Sequence, residues 1–189
     1  MSEFINWITI IQGIVTIIVL PIGVVIAWNG LTTWKDQMNA KAEYDLARNI
    51  LLSVYKARDA MDACRFRIDI LNYIDQPTFI KMEKPKIDEL SEARRQLDVE
   101  LLEAKFIWDF KTVFPLQRLS MQAYELEFSF TVLYAPEAEE SDRERYRPIL
   151  FENSESDKDE FAMETSKIMA DIENVLRPKL ILKKVRTQK

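Results

Sequence analysis

From Phe4 to Trp28 the chain carries no charged side chain. As a helix such a run is long enough to cross ~30 Å of hydrocarbon. Trp7 and Trp28 bracket it, about 31 Å apart at helical rise, and Trp34 follows closely. Aromatic rings at both interfaces mark a spanning helix. A cleaved signal peptide would want a basic start and a shorter apolar run, whereas this chain opens on "MSE". We therefore expect an uncleaved transmembrane helix in residues 1–30. No Lys or Arg precedes Lys35, while Lys35, Lys41 and Arg48 follow the span. The positive-inside rule then puts the N-terminus outside and the larger C-terminal part in the cytoplasm.

Within the span, small and polar residues recur at steps of three and four, with Leu20 as the one large apolar member of the stripe: Asn6, Thr9, Gly13, Thr16, Leu20, Gly23, Ala27 and Gly30. Small residues let membrane helices approach closely, and amide or hydroxyl groups are costly against lipid. That stripe should face protein or water, with Gln12 widening its polar side. We expect Asn6, Thr9, Gln12, Gly13, Thr16 and Gly23 to line a pore or an oligomer contact, with Trp7, Trp28 and Trp34 at the membrane interfaces. Pro21 reads as a common irregularity of membrane helices or, alternatively, as a gating hinge.

Beyond the span, the composition is rich in helix formers, and all three glycines of the 189 residues lie at or before position 30. "TWKD" (33–36) has the form of a capping box after the "NG" at 29–30, so the chain is expected to break there and restart. Apolar or small residues then recur at Tyr44, Ala47, Leu51, Val54, Ala57, Met61, Cys64, Ile68 and Leu71. This is one buried face of a long helix, with Cys64 as a core residue. "DQPTFIKMEKP" (75–85) reads as a two-proline connection. A further helix runs from about Lys86 to Phe114, and Pro115 kinks it or starts another that continues to Leu133. Phe106, Trp108, Phe110 and Phe114 are expected in the core, because aromatic burial is the largest apolar term available.

From 137 to 164 acidic residues outnumber basic ones 11 to 4, and 137–158 reads as an acidic, solvated loop. Its carboxylates lack the spacing and central glycine of a calcium loop. A last helix follows through Phe161, Ile168, Ile172 and Val175. The terminus 177–189, with Lys179, Lys183, Lys184 and Arg186, carries no acid and interleaves Leu180, Ile181, Leu182 and Val185. It is a basic amphipathic tail that could meet anionic lipid, RNA phosphates or a neighbour's acidic loop, or simply be solvated. The fold expected is all-α: one N-terminal transmembrane helix, then a cytoplasmic bundle (31–176) of about four to five helices with long antiparallel members.

The net charge of −5 gives no cationic field for DNA. Histidine is absent and Cys64 is the lone cysteine. General-base histidines, Cys–His nucleophiles, thiolate metal sites and internal disulfides are thereby excluded. Phosphate loops and nucleophile elbows are missing too. We expect no enzyme, no metal and no cofactor.

The stretch "GLTTWKDQMNAKAEYDLARNILLSVYKARDAMDACR" (30–65) resembles the segment after the span in a family of small bacterial single-span proteins. Its pattern of W-x-x-Q, E-Y-x-L-A-R-x-[IL]-L and Y-K-x-R-D-A falls on Trp34, Gln37, Glu43, Tyr44, Leu46, Ala47, Arg48, Leu51, Tyr55, Lys56, Arg58, Asp59 and Ala60. The layout also resembles the membrane accessory proteins of type VI-B CRISPR systems, which assemble into ring-like pores. The resemblance implies a homo-oligomeric membrane protein serving antiphage defence, with the bilayer, further copies of itself, and a cytoplasmic defence protein or RNA–protein complex as partners. Those accessory proteins are related to HEPN-like ribonucleases with an Arg-x(4–6)-His site; without histidine this chain lacks that site, and the kinship would lie in fold and assembly. The alternative is a membrane-tethered helical adaptor for a cytoplasmic partner.

Overall fold

The computed structural model describes residues 2–67, 76–135, 137–152 and 159–181. Within these, the side chains of 2–6, 8–12, 14–16, 18, 66, 67, 76 and 152 lie outside the description, as do residues 182–189, which carry Lys183, Lys184 and Arg186. The elements run α1 (Ser2–Cys64), β1 (Phe66–Arg67), α2 (Gln76–Ile107), α3 (Phe110–Leu133), α4 (Glu140–Leu150), β2 (Phe151–Glu152) and α5 (Glu160–Leu180). The architecture is all-α, with two-residue strands β1 and β2 pairing in parallel, Phe66 opposite Phe151. The chain divides into Met1–Glu43 with Leu182–Lys189, and Tyr44–Ile181.

In the first unit the helix does not break at Asn29–Gly30. Residues 29–36 are helical throughout, so Thr33 caps nothing; Gly30 has no positive φ, and the Thr32 hydroxyl donates to the Asn29 carbonyl at 3.0 Å. A glycine permits a turn but does not require one, and the flanking residues sustain the ladder. Residues 4–28 are helical as expected. Among the described residues, however, no helix is long and apolar enough to cross a membrane. The span legible in the sequence draws on 8–12, 14–16 and 18, whose side chains are outside that set.

The second unit is built around one apolar core. Val54, Ala57, Met61 and Cys64 of α1 bury fully, at the three- and four-residue steps expected of one face. Leu90, Leu97 and Ala104 of α2, Leu116, Leu119 and Leu126 of α3, and Ile168, Ile172 and Leu176 of α5 complete it. Paired side chains fix the directions. Ser91 and Arg94 reach Glu127 while Asp98 accepts from Ser120, so α2 and α3 are antiparallel. Arg118 reaches Asp171 and Thr165 reaches Gln122, making α3 and α5 antiparallel. Tyr55 donates to Glu173 and Arg65 pairs with Asp159, which sets α5 antiparallel to α1. Residues 44–64 of α1, α2, α3 and α5 thus alternate up and down.

Four boundaries differ from those expected. The helix expected to continue through Ile68 and Leu71 ends at Cys64 and gives way to β1, and those two residues lie outside the described ones. Residues 76–85 are helix, not connection: Pro77 sits in the first turn, where its missing N–H costs nothing. The interior Pro85 is tolerated because the turns around it are held, with Phe79 buried 5.4 Å from the Tyr134 ring centroid. The α2–α3 break falls at Trp108–Asp109, not at Pro115. The Asp109 carboxylate accepts from the Thr112 backbone N–H at 3.1 Å and its hydroxyl at 2.6 Å, a helix N-cap that holds the Asp109 carboxyl below its ordinary range. Finally, 140–150 of the expected acidic loop is α4, with Glu140 and Asp142 in its first turn and Arg147 in its last, the arrangement the helix dipole favours. Leu150 and Phe151 anchor it in the core.

One buried ion pair joins the ends of three elements. The Arg65 guanidinium meets the Asp159 carboxylate at 2.9 Å, with the side chains only 5% and 7% exposed. It also donates to the carbonyls of Ile149 (3.1 Å) and Phe151 (3.2 Å) and lies 4.9 Å from the Phe161 ring centroid. Asp159 at the same time caps α5, accepting from the Ala162 N–H at 2.9 Å.

Breaking this pair leaves a buried charge unpaired, which costs about 3–5 kcal/mol. Asp159→Ala is expected to lose that much in urea unfolding. Asp159→Asn, which keeps a capping side chain, should lose less. Burial pushes the Cys64 thiol up from 9.0 to about 12 and the Tyr134 phenol to about 12. Both groups favour their protonated forms when folded. Stability is therefore full below the unfolded values and falls as pH rises toward about 12. The urea midpoint should decline across that window, with a shallower decline in Cys64→Ala.

Candidate functional site

An uninterrupted helix through 6–30 turns the three–four spacing into geometry. Asn6, Gly13, Leu20 and Ala27 repeat at seven, as do Thr9, Thr16, Gly23 and Gly30, so the eight positions fall on one stripe of α1. On a straight helix a heptad stripe drifts by about 20° per repeat, and close packing of such stripes produces a left-handed supercoil. Among the described residues, nothing outside the helix's own backbone lies within 4 Å of a Cβ built on Gly13, Gly23 or Gly30. Each glycine therefore offers a site where another backbone could approach closely. Trp7, Trp28 and Trp34 are all well exposed. Pro21 lies inside the helix, where its ring leaves the Ile17 carbonyl without its usual donor. Asn6, Thr9, Gln12 and Thr16 take their places on α1, their side chains being outside the described set.

The second unit carries two features that the sequence did not reveal. Between α2 and α3, Glu127 accepts from Ser91 and Arg94, Arg94 bonds Asp98 at 3.1 Å, and Asp98 accepts from Ser120. Arg94 also lies 5.3 Å from the Tyr124 ring centroid. These contacts clamp the hairpin at mid-length. A shallow hollow of about 430 Å³ opens beside it, lined by Leu102, Lys105, Phe114 and Met121 among others. Among the described residues, no group of three or more Asp, Glu or Cys gathers as a metal site.

The other feature is the α2–α3 corner, where the expected aromatic core is mostly solvent-facing. Trp108 is buried, but Phe106 is 90% exposed, Phe110 70% and Phe114 45%. The cause is angular. Leu101, Ala104 and Trp108 define the buried stripe, and Phe106, two residues from each of the last two, is turned about 200° away. On α3 the buried stripe is Val113, Leu116, Leu119 and Ala123, leaving Phe110 and Phe114 on the adjoining face. Lys179, at the end of α5, stands 4.7 Å over the Trp108 ring. Arg177, Pro178 and Lys179 are thus the last turn of α5 rather than the start of a tail.

Comparison with known protein families, curated proteins and solved structures yields no match to this chain.

The different fates of the aromatics are measurable. Trp108→Ala should cost about 3–5 kcal/mol, as for other buried aromatics. Phe106→Ser should change stability by no more than about 0.5 kcal/mol. Thermal or urea unfolding of the two variants decides it.

Proposed function

We propose that the chain is a single-span protein of the bacterial inner membrane that self-assembles through its N-terminal helix, with residues 44–181 forming a cytoplasmic helical module. The observation that supports this best is the stripe of mostly small and polar positions on one unbroken helical face, with three glycines beside which, among the described residues, nothing outside the helix's own backbone comes within 4 Å of a built Cβ. In lipid, close backbone approach and buried polar groups are what hold helices together. The charge asymmetry around residues 4–28 supports the N-outside orientation. Assembled as a ring, the face with Asn6, Thr9, Gln12 and Thr16 would line a helix-walled pore. The resemblance of residues 30–65 and of the overall layout adds a role as an accessory or effector of antiphage defence.

A second reading keeps the anchor and makes the helical module an adaptor for a cytoplasmic partner. The exposed apolar corner of α2 and α3 favours it, because large exposed apolar surface marks interaction sites.

Single cysteines at Thr9 and Thr16 should cross-link between subunits in native membranes, and those at Ile10 and Ile17 much less. Equal cross-linking at both pairs would remove the stripe as the contact. Ion flux in proteoliposomes then separates a pore from a packed bundle.

A further inference from the structure

The outward face of α3 is a docking groove for a helix: we propose that it takes an amphipathic helix of a partner protein. Two large apolar side chains of that helix sit in hollows on either side of Met121, acidic residues lie over Lys105 and Lys111, and a basic residue lies over Glu125. The inference deepens the adaptor reading above and rests on it.

The first observation is that α3 is apolar on two faces. Val113, Leu116, Leu119 and Leu126 are buried in the core of the unit. On the other side Phe110, Phe114, Gln117, Met121, Tyr124 and Phe128 follow one another at steps of four and three. Five of these six are aromatic or methionine, and Phe110 and Met121 are each 70% exposed. Apolar residues all round a helix belong to one that is buried on every side, and a mean step of 3.5 is the spacing of a seam between helices.

The second is the relief of that face. In a seam between helices each knob enters a hole made by four residues of the facing helix, at i, i+3, i+4 and i+7. Two such holes lie open on α3. Phe114, Gln117, Arg118 and Met121 share a hollow of about 430 Å³, walled by Leu102 of α2. Arg118, Met121, Gln122 and Glu125 share another of about 460 Å³, walled by Ile168 of α5. The two quartets are offset by four residues, about one turn, so a partner helix fills them with side chains at i and i+4.

The third is charge. Lys111, Arg118 and Glu125 lie seven apart along one edge of the seam. Arg118 is already paired with Glu164 and Asp171. Among the described residues, Lys111, Glu125 and Lys105, which lines the first hollow, form no ion pair. The groove thus presents unpaired cations at its Phe114 end and an unpaired carboxylate toward Tyr124. A second copy answers this pattern poorly. Two α3 helices side by side in parallel set cation beside cation and carboxylate beside carboxylate. Turned end for end their charges match, but α3 runs in the same direction as residues 44–64 of α1. Such a pair would send those two α1 segments opposite ways, whereas copies anchored in one bilayer enter it the same way. A helix of another protein is under neither constraint.

The probe is a synthetic helix of about three heptads with leucine at each a and d position. It carries glutamates on the flanks of one half, lysines on the flanks of the other, and one cysteine at the glutamate end. The full-length protein, in phosphatidylcholine nanodiscs, bears a single introduced cysteine as Phe110→Cys or Phe128→Cys. Cys64 is buried and its thiol is held protonated, so it stays silent. Disulfide capture at 110 should exceed that at 128 by at least about fivefold, and K105E/K111E/E125K should reverse the preference. Met121→Glu changes an exposed side chain, so its urea midpoint should stay unchanged while binding of the labelled probe weakens at least about tenfold. Equal capture at 110 and 128, or a Met121→Glu protein that binds the probe as the parent does, overturns the inference. Cross-links between 114 of one copy and 124 of another, formed without probe, give the groove to a second copy and also overturn it. A membrane-impermeant maleimide applied to spheroplasts and to everted vesicles reports the adaptor reading separately. Capture at 110 in protein labelled only from the outer face keeps the groove and removes the cytoplasmic partner.

Discussion

The second unit depends on what becomes of one charge. A guanidinium taken out of water is costly unless its donors are satisfied, and Arg65 is 5% exposed. It finds the Asp159 carboxylate and the carbonyls of Ile149 and Phe151, contributed by three consecutive pieces of chain: the end of α4, β2 and the cap of α5. Helix ends leave carbonyls and N–H groups without internal partners. Here one side chain gathers the carbonyls closing α4, and its counter-ion supplies the acceptor that opens α5. The two-residue β1–β2 pairing is the backbone record of the same junction, since Arg65 immediately precedes β1 and Phe151 opens β2. Hydrophobic burial makes the bundle, and this pair determines where its last third attaches.

The helical class and the buried face of α1 were legible because a three–four period of Val54, Ala57, Met61 and Cys64 has one structural reading. The breaks were not. Pro115 looked like the natural boundary, yet Asp109 sets it: its carboxylate reaches the N–H three residues on and opens α3, and Pro115 is carried, buried, inside the helix that follows. The signal was present in "DFKT" and is short enough to occur by chance. The acidic stretch 140–150 hid a helix because its composition spoke of solvation, while Leu150 and Phe151, the residues that bind it to the core, follow only at its end. The aromatics near 108 were misread for a geometric reason: their phase could be assigned only once the break was known.

On α1 the spacing of Asn6, Thr9, Gly13, Thr16 and Gly23 was fully legible as a stripe, and the continuous helix keeps it one. Sequence could not reveal the Asp98–Arg94–Glu127 clamp, because its members are ordinary charged residues of amphipathic helices until two helices meet. The same holds for the corner. Exposed apolar side chains look like core in a sequence, since period alone says which residues share a face and not whether that face is covered.

Arg65 and its partners are also far apart along the chain: 83 to 94 residues separate it from the carbonyls and carboxylate that hold it. Closing loops of that length costs more conformational entropy than closing the local hairpin of α2 and α3. During synthesis, α1, α2 and α3 leave the ribosome with the core face of α1 and the charge at its end still awaiting α5. The unit can therefore lock only when the chain has been made past residue 159, so its folding is a closing step at the C-terminal end rather than a gradual growth from the N-terminus.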